Sequence, residues 1–341
     1  RDHRKLGTEL KLFTFSDDVG AGLPLWLPNG ARLRGKLEQL LYKAHRKRGY
    51  QPVRGPEILK AEAWVKSGHY ANYKENMYFT QIEGQEYGIK PMNCVGHIQI
   101  FKDDLVSYKD LPLKYFEYGV VHRHEMSGTM HGLFRVREFT QDDAHIFCMP
   151  NQVKSVIMEV LEFVESLMKL FDFQYEMMVS TRPEKAIGDD AFWEATTQGI
   201  KDALEDTKER PVMIHRAILG SFERFIGILT EHCAGEFPFS IAPTEVAIIP
   251  ISDSNLAYAK EIAADLRELD IDSEIFDKND SLNKKIRNSE KGRVPMILVL
   301  GEAEMENQMV ALRDRRKRER SEISRADFLE MVKNKKQEDK I

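Results

Sequence analysis

The stretch KYFEYGVVHRHEMSGTMHGLFRVREFTQDDAHIFC, residues 114–148, decides the fold. Its two ends, 114–125 and 134–148, are rich in aromatic and β-branched residues and are therefore predicted strands. Between them lies MSGTMHG, a predicted loop because it is short and contains two glycines. A strand, a loop and a second strand in this order favour an antiparallel hairpin over a strand–helix–strand unit.

The same stretch contains side chains suited to a nucleotide. Arg123 and Glu125 alternate along the first predicted strand and so share one face, and Arg135 and Phe139 follow on the second. A guanidinium group binds phosphate oxygens in pairs and stays charged, and an aromatic ring can stack on a base. These residues predict an ATP site without a glycine-rich phosphate loop. A surface ladder of salt bridges is the alternative, and the residues alone favour it.

Composition and charge are those of an ordinary globular protein. The chain has 341 residues, of which 42% are hydrophobic and 31% charged, so it is long enough for two domains. Its net charge of −5 excludes a generally basic nucleic-acid coat but permits a local basic face. Three widely spaced cysteines, Cys94, Cys148 and Cys233, argue against a disulfide framework and for a reducing, cytoplasmic compartment.

Two longer patterns outside this stretch predict the domain organisation. Leucines at helical spacing predict an amphipathic helix over 29–50, and further helices are expected over 151–173, with Asn151 as N-cap, and over 215–232. From residue 243 short strands alternate with helices, which predicts a small α/β domain. We therefore expect domains at 1–242 and 243–341. Arg224 lies among apolar residues and is expected to point into a site, because it cannot face its neighbour Glu223 on a helix.

Three segments resemble the signature motifs of class II aminoacyl-tRNA synthetases. They are VRGPEI, YFEYGVVHRHE with FRVREF, and HRAILGSFERFIGIL. With PMNCVGH, FTQDDAHIFC, STRPEKAIG and PVMIHRAILGS, the chain is similar over essentially its whole length to the threonyl branch of that class. The resemblance implies a catalytic domain with an antiparallel sheet flanked by helices, followed by an anticodon-binding domain. The family's N-terminal editing domain is not among these residues.

The resemblance also implies a zinc site at Cys94, His145 and His215. Three protein ligands leave one coordination position open, and the threonine amine and hydroxyl are expected to bind there. An apolar pocket distinguishes threonine poorly from valine, whereas a metal that requires an oxygen ligand rejects valine. Spacing alone leaves other candidate ligands open, namely His97, His122, His124, His131 and Cys148.

Contacts to threonine are implied for Met92, Gln141 and Asp143, with Asp143 on the hydroxyl group. Gln141 and Asp143 alternate on the same strand face as His145. His69 matches a histidine that the family places near the ribose of the terminal adenosine, where it is a candidate general base. A surface-loop histidine is the alternative.

Contacts to ATP follow from the same match. Arg123 is expected to hold the α-phosphate and the substrate carboxylate, and Glu125 and Phe139 to bind adenine. Arg135 and Arg224 are expected on the γ-phosphate. The implied reaction joins threonine to ATP with Mg²⁺, giving threonyl-adenylate and pyrophosphate, and then transfers threonine to the 3′ end of its tRNA. A homodimer that does not enter membranes is expected.

The C-terminal domain is expected to read anticodon bases through Asn279, Glu304 and Arg313. The run RDRRKRER, residues 313–320, supplies local positive charge for phosphates, and a solvated turn is the alternative for its later members.

One family segment is absent where Glu209 and Arg210 meet Pro211, near 207–211. It contains two strands that line the active site, and losing them would leave backbone groups unpaired, so we expect the segment to exist in the full protein. If it is truly deleted, the alternative is an inactive paralogue that binds RNA or protein. Prolyl and seryl relatives are less favoured because of the Cys94, His145 and His215 set.

Overall fold

The computed structural model describes residues 1–178, 211–315 and 319–338. These residues form two compact units, each assembled from separate stretches of the chain. The first unit contains 1–43, 125–138 and 222–341, and the second contains 44–124 and 139–221. The linear boundary near residue 242 stays a prediction. Within the described ranges no helix is both long and apolar enough to cross a lipid bilayer.

The helices are α1 His3–Glu9, α2 Pro28–Lys47, α3 Ala61–Lys66, α4 His69–Tyr73, α5 Cys94–Asp103, α6 Val153–Leu170, α7 Phe222–His232, α8 Leu256–Glu268, α9 Leu282–Lys291, α10 Glu302–Glu306 and α11 Arg325–Glu338. The strands are β1 Phe13–Thr14, β2 Leu25–Trp26, β3 Gln51–Pro52, β4 Ile58–Lys60, β5 Phe79–Ile82, β6 Gln85–Ile89, β7 Leu113–His122, β8 Glu138–Cys148, β9 Val212–Ala217, β10 Val246–Pro250, β11 Ser273–Ile275, β12 Met296–Leu300, β13 Met309–Asp314 and β14 Glu319–Ser324.

The two predicted strands of the opening stretch are neighbours in a four-stranded sheet of order β3-β7-β8-β9. The sheet is mixed, because β3 runs parallel to β7 while β8 and β9 are antiparallel. Both strands are shorter than predicted at the end facing the loop, since β7 ends at His122 and β8 begins at Glu138. The prediction that Arg123, Glu125 and Arg135 lie on strands is therefore wrong. All three belong to the connection, where Arg137 donates to the carbonyl of Glu125 at 2.9 Å.

The single helix predicted over 215–232 is also wrong at its start. Residues 212–217 form β9, which pairs with β8 so that His215 lies opposite His145. The helix α7 begins only at Phe222, after a turn in which Gly220 has φ of +73°. In β9 the backbone N–H and C=O groups of these residues pair with those of β8. A helix over the same residues would leave that edge of β8 without its hydrogen-bond partners.

Two helix boundaries differ from the prediction for local reasons. The helix α2 buries Leu33, Leu37 and Leu41 completely, as the leucine spacing predicts. It ends at Lys47 because Gly49 adopts φ of +77°, a left-handed conformation that terminates helices. Asn151 is not an N-cap, since α6 begins at Val153 and the side chain of Gln152 accepts the Met149 N–H instead.

The C-terminal part of the first unit confirms the predicted small α/β fold. Its sheet has the order β11-β10-β12-β13-β14, with β10 parallel to β11 and β12 and the remaining pairs antiparallel. Every residue of β10 and β12 is buried, as expected for strands covered on both faces. The helices α8 and α11 contribute Ile262 and Phe328 to this core. The strand β14 and the helix α10 were not predicted.

Candidate active site and metal centre

Three separate elements of the second unit bring the predicted zinc ligands together. Cys94 begins α5, His145 lies in β8 and His215 lies opposite it in β9. One ligand atom from each lies within 4.8 Å of the others. Among the described residues this is one of two such groups of potential ligands, and neither includes His122, His124, His131 or Cys148.

The hydrogen bonds of His145 identify which of its ring nitrogens is available. Its Nδ1 lies 2.8 Å from Nδ1 of His97, and both rings are fully buried. Its Nε2 is buried and has no hydrogen-bond partner within the described part of the chain. An unpaired buried nitrogen is costly, so it indicates a partner outside the described residues, for which a metal ion is one candidate. Cysteine and histidine donors are the usual ligands of zinc, and these three residues fit that ion.

The electrostatics of the two histidines differ. Burial lowers the pKa of His145 to about 3, which leaves its imidazole neutral, the form that binds metals. The hydrogen bond with Asp143, followed by the contact with Cys94, raises the pKa of His215 to about 10. The Cys94 sulfur lies 3.8 Å from Nδ1 of His215.

Asp143 orients two neighbours of this cluster. One carboxylate oxygen lies 2.7 Å from Nε2 of His215, and the other accepts from the Asn93 side chain at 2.9 Å. Burial alone would raise the pKa of Asp143, but the hydrogen bond and charge of His215 and the hydrogen bond from Asn93 hold it below its usual value. Gln141 is half-buried two residues earlier on β8. Carboxylates that support a ligating histidine are a general feature of metal sites.

The predicted ATP residues of the second unit lie close together. Arg123 donates from Nε to the Pro91 carbonyl at 3.2 Å. Its guanidinium group lies 5.1 Å from the ring centre of Phe139 and 5.8 Å from that of Tyr73. The ring proposed to stack on adenine therefore already contacts the arginine proposed to hold the α-phosphate. Met92 is half-buried just before Asn93.

The predicted ATP residues of the first unit form a second group. Arg135 pairs with Glu125 at 2.9 Å, and about half of the Arg135 side chain is exposed. Arg224 donates from Nε to the carbonyl of Phe134 at 3.0 Å. Glu223 is buried and pairs with Arg34 at 2.8 Å. Contacts through Phe134 and its neighbour Arg135 therefore link Arg224 to Glu125. The family resemblance assigns the two arginines to the γ-phosphate and Glu125 to adenine.

Sequence comparison divides the chain into two known domain families. Residues 78–204 match the class II core domain of the tRNA synthetases for G, H, P, S and T, and residues 245–335 match the anticodon-binding domain family. A crystal structure of the RNA-binding domain of threonyl-tRNA synthetase from Cryptosporidium parvum is 33% identical, with a TM-score of 0.89 over 98% of both chains. The chain belongs to the threonyl-tRNA synthetase family.

Other relatives of this synthetase family agree in fold. The threonine–tRNA ligase of Campylobacter jejuni is 60% identical over 393 aligned positions, which include 99% of this chain and 65% of the relative. The chain thus spans about two-thirds of the length of such curated relatives. The aligned positions outnumber its 341 residues, so at least 52 of them have no counterpart here. A prolyl-tRNA synthetase of Cryptosporidium parvum, 16% identical with a TM-score of 0.74, shares the fold alone.

The anticodon residues expected of a synthetase lie at different places in the C-terminal sheet domain. Asn279 is exposed between β11 and α9, and Glu304 accepts the Gly301 N–H at 2.8 Å at the start of its own helix. Arg313 lines an open cavity of about 460 Å³ that also contains Arg315 and Arg320. Neither Asn279 nor Glu304 is among the described residues lining it.

Some predictions fall outside the described residues. Residue 69 begins α4, but its side chain is not described, so the role of His69 stays a prediction. Three further parts of the predictions are likewise outside, namely residues 316–318 of the basic run, the segment STRPEKAIG at 180–188 and the junction at 207–210. The flanking Arg313 and Arg320 face each other across the β13–β14 pair.

Several buried polar residues of this chain were not predicted from the sequence. Glu117 and Lys90 lie behind His97, which the sequence offered only as an alternative ligand, and Asp142 accepts the N–H groups of Ile218 and Leu219, each at 3.0 Å. The only signal was a charge within an apolar run, as Glu117 in KYFEYGVV, which could equally have faced solvent.

The second group of potential ligands is not a metal centre. It contains Asp2, His3 and Glu231 in the first unit. Nδ1 of the buried His3 lies 2.7 Å from Glu231, and its Nε2 accepts the Leu133 N–H at 3.1 Å. Both ring nitrogens are therefore occupied, and His3 instead attaches the loop before Arg135 to α1 and α7.

Proposed function

We propose that the protein is a threonine–tRNA ligase. It activates threonine with MgATP to threonyl-adenylate and transfers the aminoacyl group to the 3′ end of the threonine tRNA. The observation that carries this proposal is the convergence of Cys94, His145 and His215 from three elements, with a buried nitrogen left unpaired. The names of the relatives support it, although this chain spans 65% of their length.

Selection of threonine rests on the metal-binding residues. Cys94, His145 and His215 would hold a Zn²⁺ ion, which when bound supplies an open coordination position for the amine and hydroxyl of threonine. Asp143 keeps His215 oriented. Met92 and Gln141 are further proposed threonine contacts. Valine has no hydroxyl group and so loses a ligand, whereas serine keeps it.

The side chains proposed to bind ATP contact one another in the nucleotide-free protein. Arg135 would leave the Glu125 carboxylate for the γ-phosphate, which frees Glu125 to accept from the adenine amine. Arg224 provides a second charge for the γ-phosphate. Arg123 would hold the α-phosphate and substrate carboxylate, and Phe139 would stack on adenine. Fixed guanidinium groups stabilise charge that develops on the phosphoryl oxygens.

The transfer step and the surroundings of the enzyme complete the proposal. His69 would serve as general base for the ribose hydroxyl. Asn279, Glu304 and Arg313 would contact anticodon bases. We place the domains at 1–242 and 243–341 and the enzyme in the cytoplasm as a homodimer.

Threonine-dependent ATP–pyrophosphate exchange tests the activity, with valine and serine alongside. Exchange is expected with threonine, weakly with serine and not with valine, and it should cease when a chelator removes zinc. Cys94→Ala should abolish both zinc binding and exchange. Cys233→Ala is the matched control, because this half-buried cysteine lies outside the cluster.

The alternative, an inactive paralogue, makes the opposite prediction. A folded, zinc-replete protein without threonine-dependent exchange refutes the ligase assignment and favours an RNA- or protein-binding role. Peptide mass mapping across 207–211 separates the reasons for such a result. A peptide that joins Arg210 directly to Pro211 means that the family segment is deleted, and added residues between them mean that it is present in the protein.

A further inference from the structure

A chain of buried polar side chains starts at Nδ1 of His145. The first member is His97, whose Nδ1 lies 2.8 Å away and whose ring meets that of His145 edge to face, with ring centres 4.6 Å apart. His97 Nε2 lies 3.6 Å from Glu117. Glu117 in turn accepts from Lys90 Nζ at 3.2 Å and from the Gly55 N–H at 2.9 Å.

These groups are shielded from water, so their neighbours determine their protonation. His97 and His145 are fully buried, and the Glu117 and Lys90 side chains are at most 5% exposed. Burial alone would raise the pKa of Glu117, but His97, the Gly55 N–H and Lys90 hold it below its usual value. Glu117 is therefore a buried anion balanced by a buried cation. Removing both charges from water costs free energy, which only close pairing and further hydrogen bonds offset.

Two imidazole nitrogens at 2.8 Å share one proton, because two lone pairs repel and two N–H groups clash. If His145 binds a metal through Nε2, its own proton must be on Nδ1, and Nδ1 of His97 must be the acceptor. The proton of neutral His97 is then on Nε2, which faces the Glu117 carboxylate. The Glu117 anion, 3.6 Å from Nε2 and so beyond hydrogen-bond distance, favours this tautomer of His97 by its charge, and the 2.8 Å contact then favours the Nδ1–H tautomer of His145.

We propose that His97 is a positioning residue that fixes the tautomer and ring orientation of His145, with Glu117 and Lys90 as its anchor. This inference rests on the proposed zinc site. Outer partners of a metal-binding histidine commonly contribute 10- to 100-fold to metal affinity. A purely structural histidine would instead contribute to folding stability without a specific effect on metal binding.

A matched pair of substitutions separates the two ring nitrogens of His97. In His97→Asn the amide oxygen falls near the position of Nδ1 and can still accept from His145. In His97→Gln the amide falls near the position of Nε2, so it can reach Glu117 but not His145. Both variants are polar and similar in size. His45→Gln is the control, because His45 is equally buried in the same unit but stacks on Phe116.

Zinc affinity is measured by chelator competition on the purified metal-free chain, with thermal unfolding alongside. We expect His97→Gln to weaken zinc binding about 10- to 100-fold, His97→Asn to stay close to the unmodified protein, and His45→Gln to change only stability. Cobalt substitution provides a second readout, since a misoriented His145 alters the visible absorption of the bound ion.

Two results overturn the proposal in distinguishable ways. Equal zinc affinity in both His97 variants, while Cys94→Ala loses zinc, refutes the role of His97 and leaves the metal site intact. Failure of the unmodified chain to bind zinc refutes the metal site itself, and the inference with it. Losses of affinity that follow unfolding temperature in all three histidine variants indicate a structural role only.

Discussion

Asp142 tests whether burial or ion pairing determines the pKa of a carboxyl group beside the proposed metal site. It is completely buried, and its oxygens accept the N–H groups of Ile218 and Leu219, each at 3.0 Å. Arg216 is its nearest cation, but the closest guanidinium nitrogen lies 3.8 Å from the carboxylate and donates instead to the Asp142 carbonyl. Burial therefore prevails and raises the pKa of Asp142 to about 7.

The stability consequence has a definite sign. The usual value is 3.8, so the folded protein holds the Asp142 proton about 3 pKa units more tightly than the unfolded chain. The contribution to stability is present at low pH and is lost as pH rises from about 4 to about 7. At 1.36 kcal/mol per unit, the loss is about 4 kcal/mol.

The perturbation is Asp142→Asn, which mimics the protonated side chain at every pH. We would measure the free energy of unfolding by urea titration between about pH 4 and pH 8, in the same metal state for both proteins. The difference, unmodified protein minus variant, should fall by about 4 kcal/mol over this range. A constant offset of about 1–3 kcal/mol is expected, because an amide cannot accept both backbone N–H groups.

The slope, not the offset, decides the outcome. A difference that rises with pH means that Arg216 keeps Asp142 ionised and that the argument from burial is wrong. Asp103→Asn, at an exposed position of the same unit, controls for the substitution itself.

Three further substitutions test other buried contacts and the ATP assignment. Lys36→Met should lower the free energy of urea unfolding by about 3–5 kcal/mol, because it removes the lysine that contacts the fully buried Glu245 carboxylate at 2.6 Å. Adding Glu245→Gln should recover most of this loss, and no recovery would contradict the pairing. His3→Leu should destabilise by about 1–3 kcal/mol in the same assay, because the buried Leu133 N–H loses its acceptor on the imidazole, and an unchanged midpoint would argue against this. Glu125→Ala should raise the KM for ATP about tenfold without changing that for threonine, and an equal rise in both would refute its adenine role.

The sequence predicts that β7 and β8 are strands, but it does not predict where they end. Aromatic and β-branched residues predict β7 and β8 because such side chains pack well on a pleated surface. Nothing in the local pattern shows that the chain leaves the sheet at His122 and returns at Glu138. That depends on partners distant in sequence, such as Gly22, whose carbonyl accepts the Arg137 N–H at 2.7 Å.

The strand β9 was mistaken for helix for a related reason. PVMIHRAILG is a short apolar run, and such runs fit a strand or a buried helix equally well. Six residue pairs with β8 decide in favour of the strand. Spacing alone could not identify the proposed zinc ligands either, because His215 reaches His145 only through this pairing. Only the resemblance to the family singled out these three residues.

The register of β8 against β9 joins the folding problem to the chemical one. Alternation places Gln141, Asp143 and His145 on one face, and Asp142 on the other. A slip of one residue would turn His215 away from His145 and also remove Asp142 from the N–H groups of Ile218 and Leu219. The bonds made by Asp142 therefore penalise the slipped pairing, although Asp142 itself contributes no ligand atom. The buried carboxylate of Asp142 thus helps to bring the proposed metal ligands together by specifying the register of the sheet.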